Sequence, residues 1–280
     1  MTRRSIADPG FLKVEERSAD GPPVADAMDR LRADRLDALV IHDVIAPEAL
    51  ARMAAALEAN APGFVRTEFP GPFRSFFYGM NLNLSDPGLE DYFAAEPAFA
   101  AALETLAAPG APAPHARVAE TLSRFDQGRA YVAAPGPEAG RRHFFTTLRG
   151  HRPGGYIPVH FDNEQADRPT YRHVAPQIES DIFSFVLTLA EAEAGGQLEL
   201  FNLRADAHSG DFRNVDGGRA EIDLETLERV ALPVPAGSMV LVNSGQLLHR
   251  VTLVEGARTR WTMCSFMALE KGGARVLCWG

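Results

Sequence analysis

The sequence predicts an α+β protein whose core is mainly β: a barrel or sandwich of strands in the second half of the chain, buttressed on its outside by helices from the first half. Three observations carry that reading. The hydrophobic period changes near the middle of the 280 residues, from three-and-four spacing to short runs of strand length. From Arg142 onward these runs follow one another with Gly, Pro, Asn and Asp between them and no helical pattern intervening. A composition of 46% hydrophobic and 23% charged residues supplies a sizeable core and excludes a disordered chain or a coiled coil.

In chain order, helices are expected over 24–36, 47–60, 96–108 and 115–125. Pro47 suits a first helical position, where its missing N–H costs nothing. Two β-like runs interrupt the helices, LDALVIH at 36–42 and FRSFFYGMN at 73–81. Nine strands are then expected: HFFTTLR, GYIPVHFD, IFSFVLTLA, QLELFNL, VALPV, MVLVNS, LLHRVTLV, TRWTMCSFMAL and ARVLCW. The Ala- and Pro-rich stretch from Ala107 to Pro114 reads as a loop between helices. The apolar-poor stretch from Ala205 to Ala220 reads as a mobile loop. The helices lack a core of their own, so 1–280 is expected to form a single domain, with a helical support region over 1–131 and the β core over 142–280.

Charge and cysteine content narrow the function class. With 28 basic and 37 acidic residues the net charge is −9, which disfavours nucleic acid as a partner. No run approaches the roughly 18 apolar residues of a membrane span. The N-terminal stretch has two arginines with no apolar run behind them, so it does not read as a signal peptide. Cys264 and Cys278 are too few for a disulfide framework and fit a reducing compartment, so a cytoplasmic protein is expected. A small-molecule substrate is the expected partner, with a homodimer as the candidate assembly.

His160 and Asp162 stand two apart in GYIPVHFDN, which on a strand puts both on one face. Two histidines and one carboxylate on a triangular face hold non-haem iron(II) in oxygenases and leave the opposite positions open. His249, in QLLHRVTLV 89 residues further on, is the natural second histidine, because a barrel brings a later strand back opposite the first. A bare His-x-Asp fits a surface hydrogen-bonded pair equally well. The context moves the reading: AGGQLELFN, VPAGSMVLVNS and LLHRVTLVEGARTRW supply the turns and strands that follow. Arg258 and Arg260 share one face of the last of these strands with Thr262 and Cys264. An arginine pointing into an apolar barrel is costly without an anion, and its planar fork suits a carboxylate. A dicarboxylate co-substrate would supply one. The alternative, an arginine at the exposed strand start paired with Glu255, fits Arg258 better than Arg260.

These residues give the chain a resemblance to the iron(II)- and 2-oxoglutarate-dependent oxygenases. More narrowly, it resembles the halogenases of that superfamily that chlorinate indole alkaloids, and their relatives that hydroxylate free or N-substituted amino acids. The likeness runs through LDALVIHDVIAPEALARMAAALE, YGMNLNLSDPGLEDYFAAEPAF, EAGGQLELFNL and AGSMVLVNSGQLLHRVTLVEGARTRWTMCSFMALEKGGARVLCWG. It implies a double-stranded β-helix core (jelly-roll, cupin-like), with iron(II) on His160, Asp162 and His249, 2-oxoglutarate as co-substrate and O2 as oxidant. The resemblance places the arginine that clamps the distal carboxylate of 2-oxoglutarate on Arg260, with Arg258 as fallback. Halogenases of the family carry a small residue two after the first histidine, where this sequence has Asp162. The resemblance therefore implies hydroxylation of an unactivated aliphatic C–H in an amino acid, an amino-acid derivative or an alkaloid-like metabolite of specialised metabolism, with release of succinate and CO2. The alternatives are a protein or peptide hydroxylase of the same fold and a non-catalytic jelly-roll binding module.

Candidate substrate residues are less sharply marked. Arg149 lies 11 residues before His160 and could orient a carboxylate or line the metal site, or simply end a strand in a salt bridge. Phe73, Arg74, Phe76, Phe77 and Tyr78 suit a pocket wall for an apolar body with an acidic handle, though such runs are commonly core. Arg168, Arg172 and His173 follow the ligand pair on an expected lid, where a solvated loop is the commoner fate of charges. His42, His115, His143, His151 and His208 show no ligand-like spacing, and Cys264 and Cys278 have no partner that suggests zinc.

Overall fold

The computed structural model describes residues 10–69, 71–165, 168–205 and 224–280. Apart from Ala205, the expected mobile loop at 205–220 lies outside the described residues, as does His208. In chain order the elements are β1 (Val14–Ser18), α1 (Ala27–Arg32), β2 (Ala38–His42), α2 (Pro47–Glu58), β3 (Arg66–Glu68), β4 (Ser75–Tyr78), α3 (Leu89–Glu104), α4 (Pro114–Arg124) and β5 (Ala130–Ala133). There follow β6 (Thr147–His151), β7 (Ile157–His160), β8 (Phe183–Ala190), β9 (Ala194–Gly195), β10 (Leu198–Arg204), β11 (Arg229–Leu232), β12 (Met239–Val242), β13 (Leu247–Val251), β14 (Val254–Glu255), β15 (Arg260–Leu269) and β16 (Arg275–Trp279).

The strands form a large sheet with the path β1-β2-β12-β8-β15-β6-β4-β3, to which β16 and β5 add beside β15. A smaller sheet has the order β11-β10-β13-β7, and β14 pairs with β9. From β6 to β15 the chain passes back and forth between the two larger sheets, leaving β6, β15, β8 and β12 adjacent in one and β7, β13, β10 and β11 adjacent in the other. That interleaving is the strand order of a jelly roll. All nine strands expected after Arg142 are present, as β6, β7, β8, β10, β11, β12, β13, β15 and β16. The first half is less purely helical than its periodicity suggests, since β1 to β4 extend the large sheet at both edges.

Side-chain alternation assigns each face of the large sheet a separate task. Phe183, Phe185 and Leu187 of β8, Met239 and Leu241 of β12, and Trp261 and Met263 of β15 enter one buried cluster with Leu50, Met53 and Leu57 of α2 and Tyr92, Phe93 and Phe99 of α3. The indole of Trp261 also donates to the Glu58 carboxylate at the end of α2, at 2.6 Å. The opposite face meets the smaller sheet: Val240 and Val242 of β12 pack with Leu198 and Leu200 of β10 and Leu247 of β13. A sheet buried on both faces reads as a near-continuous apolar run, which is why these strands were legible.

Two helices differ from their expected limits: α1 spans only Ala27–Arg32 of the expected 24–36, and α3 is displaced toward the N-terminus. α3 begins at Leu89, seven residues before the expected start, and carries Pro97 in its interior. Proline there removes one helical hydrogen bond, but Leu89, Tyr92 and Phe93 are already buried on the same face and hold the earlier turns in place. The Tyr92 hydroxyl anchors that turn by donating to the Gly280 carbonyl at 2.8 Å and accepting from the Phe144 amide at 3.0 Å.

The turn that follows β7 is clamped from behind. The Asp162 amide donates to the Ser244 carbonyl at 3.0 Å, and the Asn163 side-chain oxygen accepts from the Ile182 amide at 3.0 Å. Gly245 completes the clamp by donating to the Ile182 carbonyl. A Cβ on Gly245 would stand 2.1 Å from the Asn163 Oδ1 and 2.5 Å from the Ile182 carbonyl oxygen, so only glycine fits this close approach.

Two outcomes follow for stability. Tyr92→Phe, which strands the buried Phe144 N–H, is expected to cost about 1–3 kcal/mol in urea denaturation. Gly245→Ala overpacks the clamp and is expected to cost about 1–3 kcal/mol by the same measurement, with a parallel loss of metal affinity in calorimetry.

Candidate metal centre and its cavity

His160 and His249 face each other across the pairing of β7 with β13, with ring centroids 4.2 Å apart. β7 is the edge of the smaller sheet, where Pro158 is tolerated because no ladder donor is needed from it. The register shifts there, with three residue steps on β7 against two on β13, and this irregularity lies directly beside the two histidines. Each imidazole approaches the carbonyl two residues before it: His160 Nδ1 lies 2.9 Å from Pro158 O, and His249 Nδ1 lies 2.9 Å from Leu247 O. A carbonyl only accepts, so both Nδ1 atoms carry a proton and both Nε2 atoms are turned to their common point.

Asp162 reaches the same point by a route other than the expected one. The strand ends at His160, and Asp162 opens the following 3-10 turn, so turn geometry and the clamp behind it bring the carboxylate round. Its two oxygens lie 3.4 Å from His160 Nε2 and 3.8 Å from His249 Nε2. One ligand atom from each of the three residues lies within 4.8 Å of the other two. Burial opposes a charge on Asp162, but the two imidazoles outweigh it and hold the carboxyl below its usual range. Burial, and then the neighbouring His160, lowers His249 to about 4. In His160 burial works the same way, yet the bond to Asp162 prevails and raises it. When a divalent first-row ion takes the place of the proton between His160 and Asp162, two neutral nitrogens and one ionised oxygen meet it from one side and leave its other positions open, the arrangement of non-haem iron(II) sites.

The three residues line a cavity of about 90 Å³ between the two sheets. Cross-strand register sets its basic wall. Thr147, Arg149 and His151 of β6 lie opposite Cys264, Thr262 and Arg260 of β15. Arg149, His151 and Arg260 all line the cavity. Arg260 is buried, and burial followed by Arg149 lowers it to about 10. Gly196 permits that placement, since a Cβ there would stand 2.7 Å from Arg260 Cδ. The guanidinium of Arg149 lies 4.5 Å from the centroid of the Phe77 ring, and its Nε is buried without a hydrogen-bond partner. Among the described residues no carboxylate forms an ion pair with either arginine.

The other expected residues are dispersed. Arg258 precedes β15 in an exposed bend and pairs with Glu193 at 3.6 Å instead of Glu255, so it shares no strand face with Arg260. Phe77 is fully buried beneath Arg149. Arg74 is exposed, at φ 48°, with its guanidinium beside Gly154, outside the cavity lining. Arg168 caps the 3-10 turn Pro169–His173, and it too is outside the lining. His151 has no ligand-like spacing in the sequence. Strand alternation is the signal that places it on the face of Arg149. Asn81, Ser184 and Gly280 also line the cavity and carried no sequence signal.

Comparison with known proteins places this geometry in a family. A search of curated protein sequences finds no match. Among solved structures, an N-substituted L-amino acid dioxygenase from Burkholderia ambifaria AMMD is similar at 18% identity and a TM-score of 0.56, over 90% of each chain. The same enzyme in complex with alpha-KG is similar at 17% identity, with the same TM-score and coverage. AviO1 from Streptomyces viridochromogenes Tue57 has 18% identity and a TM-score of 0.43, over 83% of this chain and 89% of that one. At these identities the likeness to the dioxygenase speaks for the fold alone. The sequence profile described as carrier-protein-independent halogenase WelO5 matches residues 12–280, nearly the whole chain, and the chain belongs to that family.

Proposed function

We propose that the protein is an iron(II)- and 2-oxoglutarate-dependent oxygenase that hydroxylates an unactivated aliphatic carbon of a small molecule. The observation that carries the choice of hydroxylation over halogenation is the Asp162 carboxylate, held 3.4 and 3.8 Å from the two imidazole Nε2 atoms. A halide at the same point would meet a fixed negative charge and a filled position. His160, Asp162 and His249 hold the metal. Arg260 receives the distal carboxylate of 2-oxoglutarate; its guanidinium is buried, lines the cavity and forms no ion pair among the described residues, which favours that anion. Arg149, kept flat against Phe77, orients a second carboxylate at the metal end of the co-substrate or on the substrate.

Iron(II) and 2-oxoglutarate, when bound, supply the oxidative decarboxylation to succinate and CO2 and the oxidant that takes hydrogen from the substrate. The protein's own part is positional. The Nδ1–H bonds fix both imidazoles, and the clamp behind Asp162 keeps its oxygen from swinging away. A small cavity set between two sheets favours a small substrate, such as an amino acid, an amino-acid derivative or an alkaloid-like metabolite, over a protein chain.

Anaerobic addition of iron(II) and 2-oxoglutarate to the protein is expected to give the weak visible charge-transfer band of the chelate, and His249→Ala to lose it. Protein that shows neither this band nor succinate release with a broad panel of amino acids and specialised metabolites sinks the proposal. Asp162→Gly is expected to cut substrate oxygenation by at least a hundredfold, read as oxygenated product by mass spectrometry; full retention would show that Asp162 is not a ligand. Arg260→Ala is expected to raise the apparent requirement for 2-oxoglutarate roughly ten- to a hundredfold, and an unchanged requirement would move that role to Arg149.

A further inference from the structure

His151 is the one basic side chain of the cavity wall to which the proposed function gives no task. It is fully buried at the end of β6, opposite Arg260 on one neighbouring strand and opposite Ser75 of β4 on the other. It lines the same cavity as Arg149 and Arg260. Neither of its ring nitrogens has a hydrogen-bond partner among the described residues, although both are buried. A buried imidazole with two unanswered polar atoms is unfavourable, and the cavity that His151 lines is the route by which a ligand could answer one of them.

We infer that His151 is a binding residue for the distal carboxylate of the co-substrate, donating one ring N–H to the anion that Arg260 grips. This rests on the proposed use of 2-oxoglutarate and extends it by one residue. Directly opposite positions of antiparallel strands set Cβ atoms about 5 Å apart, so an anion seated on the Arg260 fork lies within reach of the His151 ring. Burial, then Arg260 and Arg149, keep the imidazole neutral. Neutrality is what makes it useful at this point. A third cation beside Arg149 and the buried Arg260 would add repulsion that one dicarboxylate does not cancel, whereas a neutral ring adds a donor without adding charge. Its second nitrogen remains free to accept from water or from a neighbouring donor, as a lysine or arginine could not.

The test compares two co-substrates on metal-loaded protein. 2-Oxopentanoate has the keto acid of 2-oxoglutarate and the same carbon chain but lacks the distal carboxylate. Affinities for both are read anaerobically from the charge-transfer band with iron(II), and by calorimetry with zinc(II) in its place. His151→Leu is expected to weaken 2-oxoglutarate binding roughly ten- to a hundredfold and leave 2-oxopentanoate unchanged within about twofold. His151→Asn, which restores a neutral donor, is expected to recover most of the loss. The thermal midpoint of ligand-free His151→Leu is expected to be unchanged or raised, because an unsatisfied polar group has been removed. In the wild-type zinc(II) protein, the ring nitrogen resonances of His151 are expected to move with 2-oxoglutarate and stay put with 2-oxopentanoate, a reading that requires no variant to fold. Equal weakening of both ligands, an unweakened 2-oxoglutarate complex, or resonances that respond alike to both would overturn the inference while leaving the oxygenase reading intact. Wild-type protein that binds iron(II) but not 2-oxoglutarate would overturn both.

Discussion

The position of β13 between β7 and β10 is the constraint on which the site depends. Through it His249 lies opposite His160 on one side and opposite Leu200 on the other. A strand that slips by one residue turns every side chain to the other face, so a slip here would send His249 to the outside and Arg250 into the cavity. The apolar residues of the same strands prevent this. Leu198, Leu200 and Leu247 are packed against the large sheet, and their burial fixes the register that the two histidines then inherit. The metal centre is in this sense a by-product of hydrophobic packing, refined by the irregularity beside Pro158 and by the clamp behind Asp162.

The cavity separates its charges by sheet. Asp162 stands with the two imidazoles of β7 and β13 on the smaller sheet, and two arginines stand on the wall formed by β6 and β15 of the large one. Cations with no carboxylate partner among the described residues, the buried Arg260 above all, are unfavourable by themselves, and a scaffold tolerates them where a ligand completes the electrostatics. The same reasoning applies to the neutral but unsatisfied His151. Stability is given up at the binding wall, and the outer face of the large sheet compensates through the cluster it forms with α2 and α3.

Membership of a family described by a halogenase does not dictate the outcome at the metal, because one side chain changes what the open positions accept. In this chain the third protein ligand comes from a turn and not from a strand. Turns tolerate substitution better than the interior of a sheet, so the position of Asp162 is one where a fold can change its chemistry without changing its core.

The sequence by itself determined the β core, because strands buried on both faces must be written in apolar residues: all nine runs after Arg142 appear as strands. It also determined which residue types gather, since His160, Asp162, His249 and Arg260 are residues of a kind rarely placed in a barrel without a task. Limits of elements were less legible. Pro97 marks a helix start by local rule, and only the packing of Leu89, Tyr92 and Phe93 shows that the helix begins earlier. The site's second layer was hidden for a related reason. Arg258 and Arg260 look alike in sequence, yet where β15 begins leaves the first in solvent beside Glu193 and buries the second. Arg74 and Arg168 are dispersed by turns whose directions no periodicity encodes. His151 has no spacing to any ligand, and its place beside Arg260 exists only because β6 and β15 pair in one register. Burial is a property of single residues and leaves its trace in composition, whereas adjacency across strands is a property of pairs far apart in the chain, and the tertiary structure alone decides it.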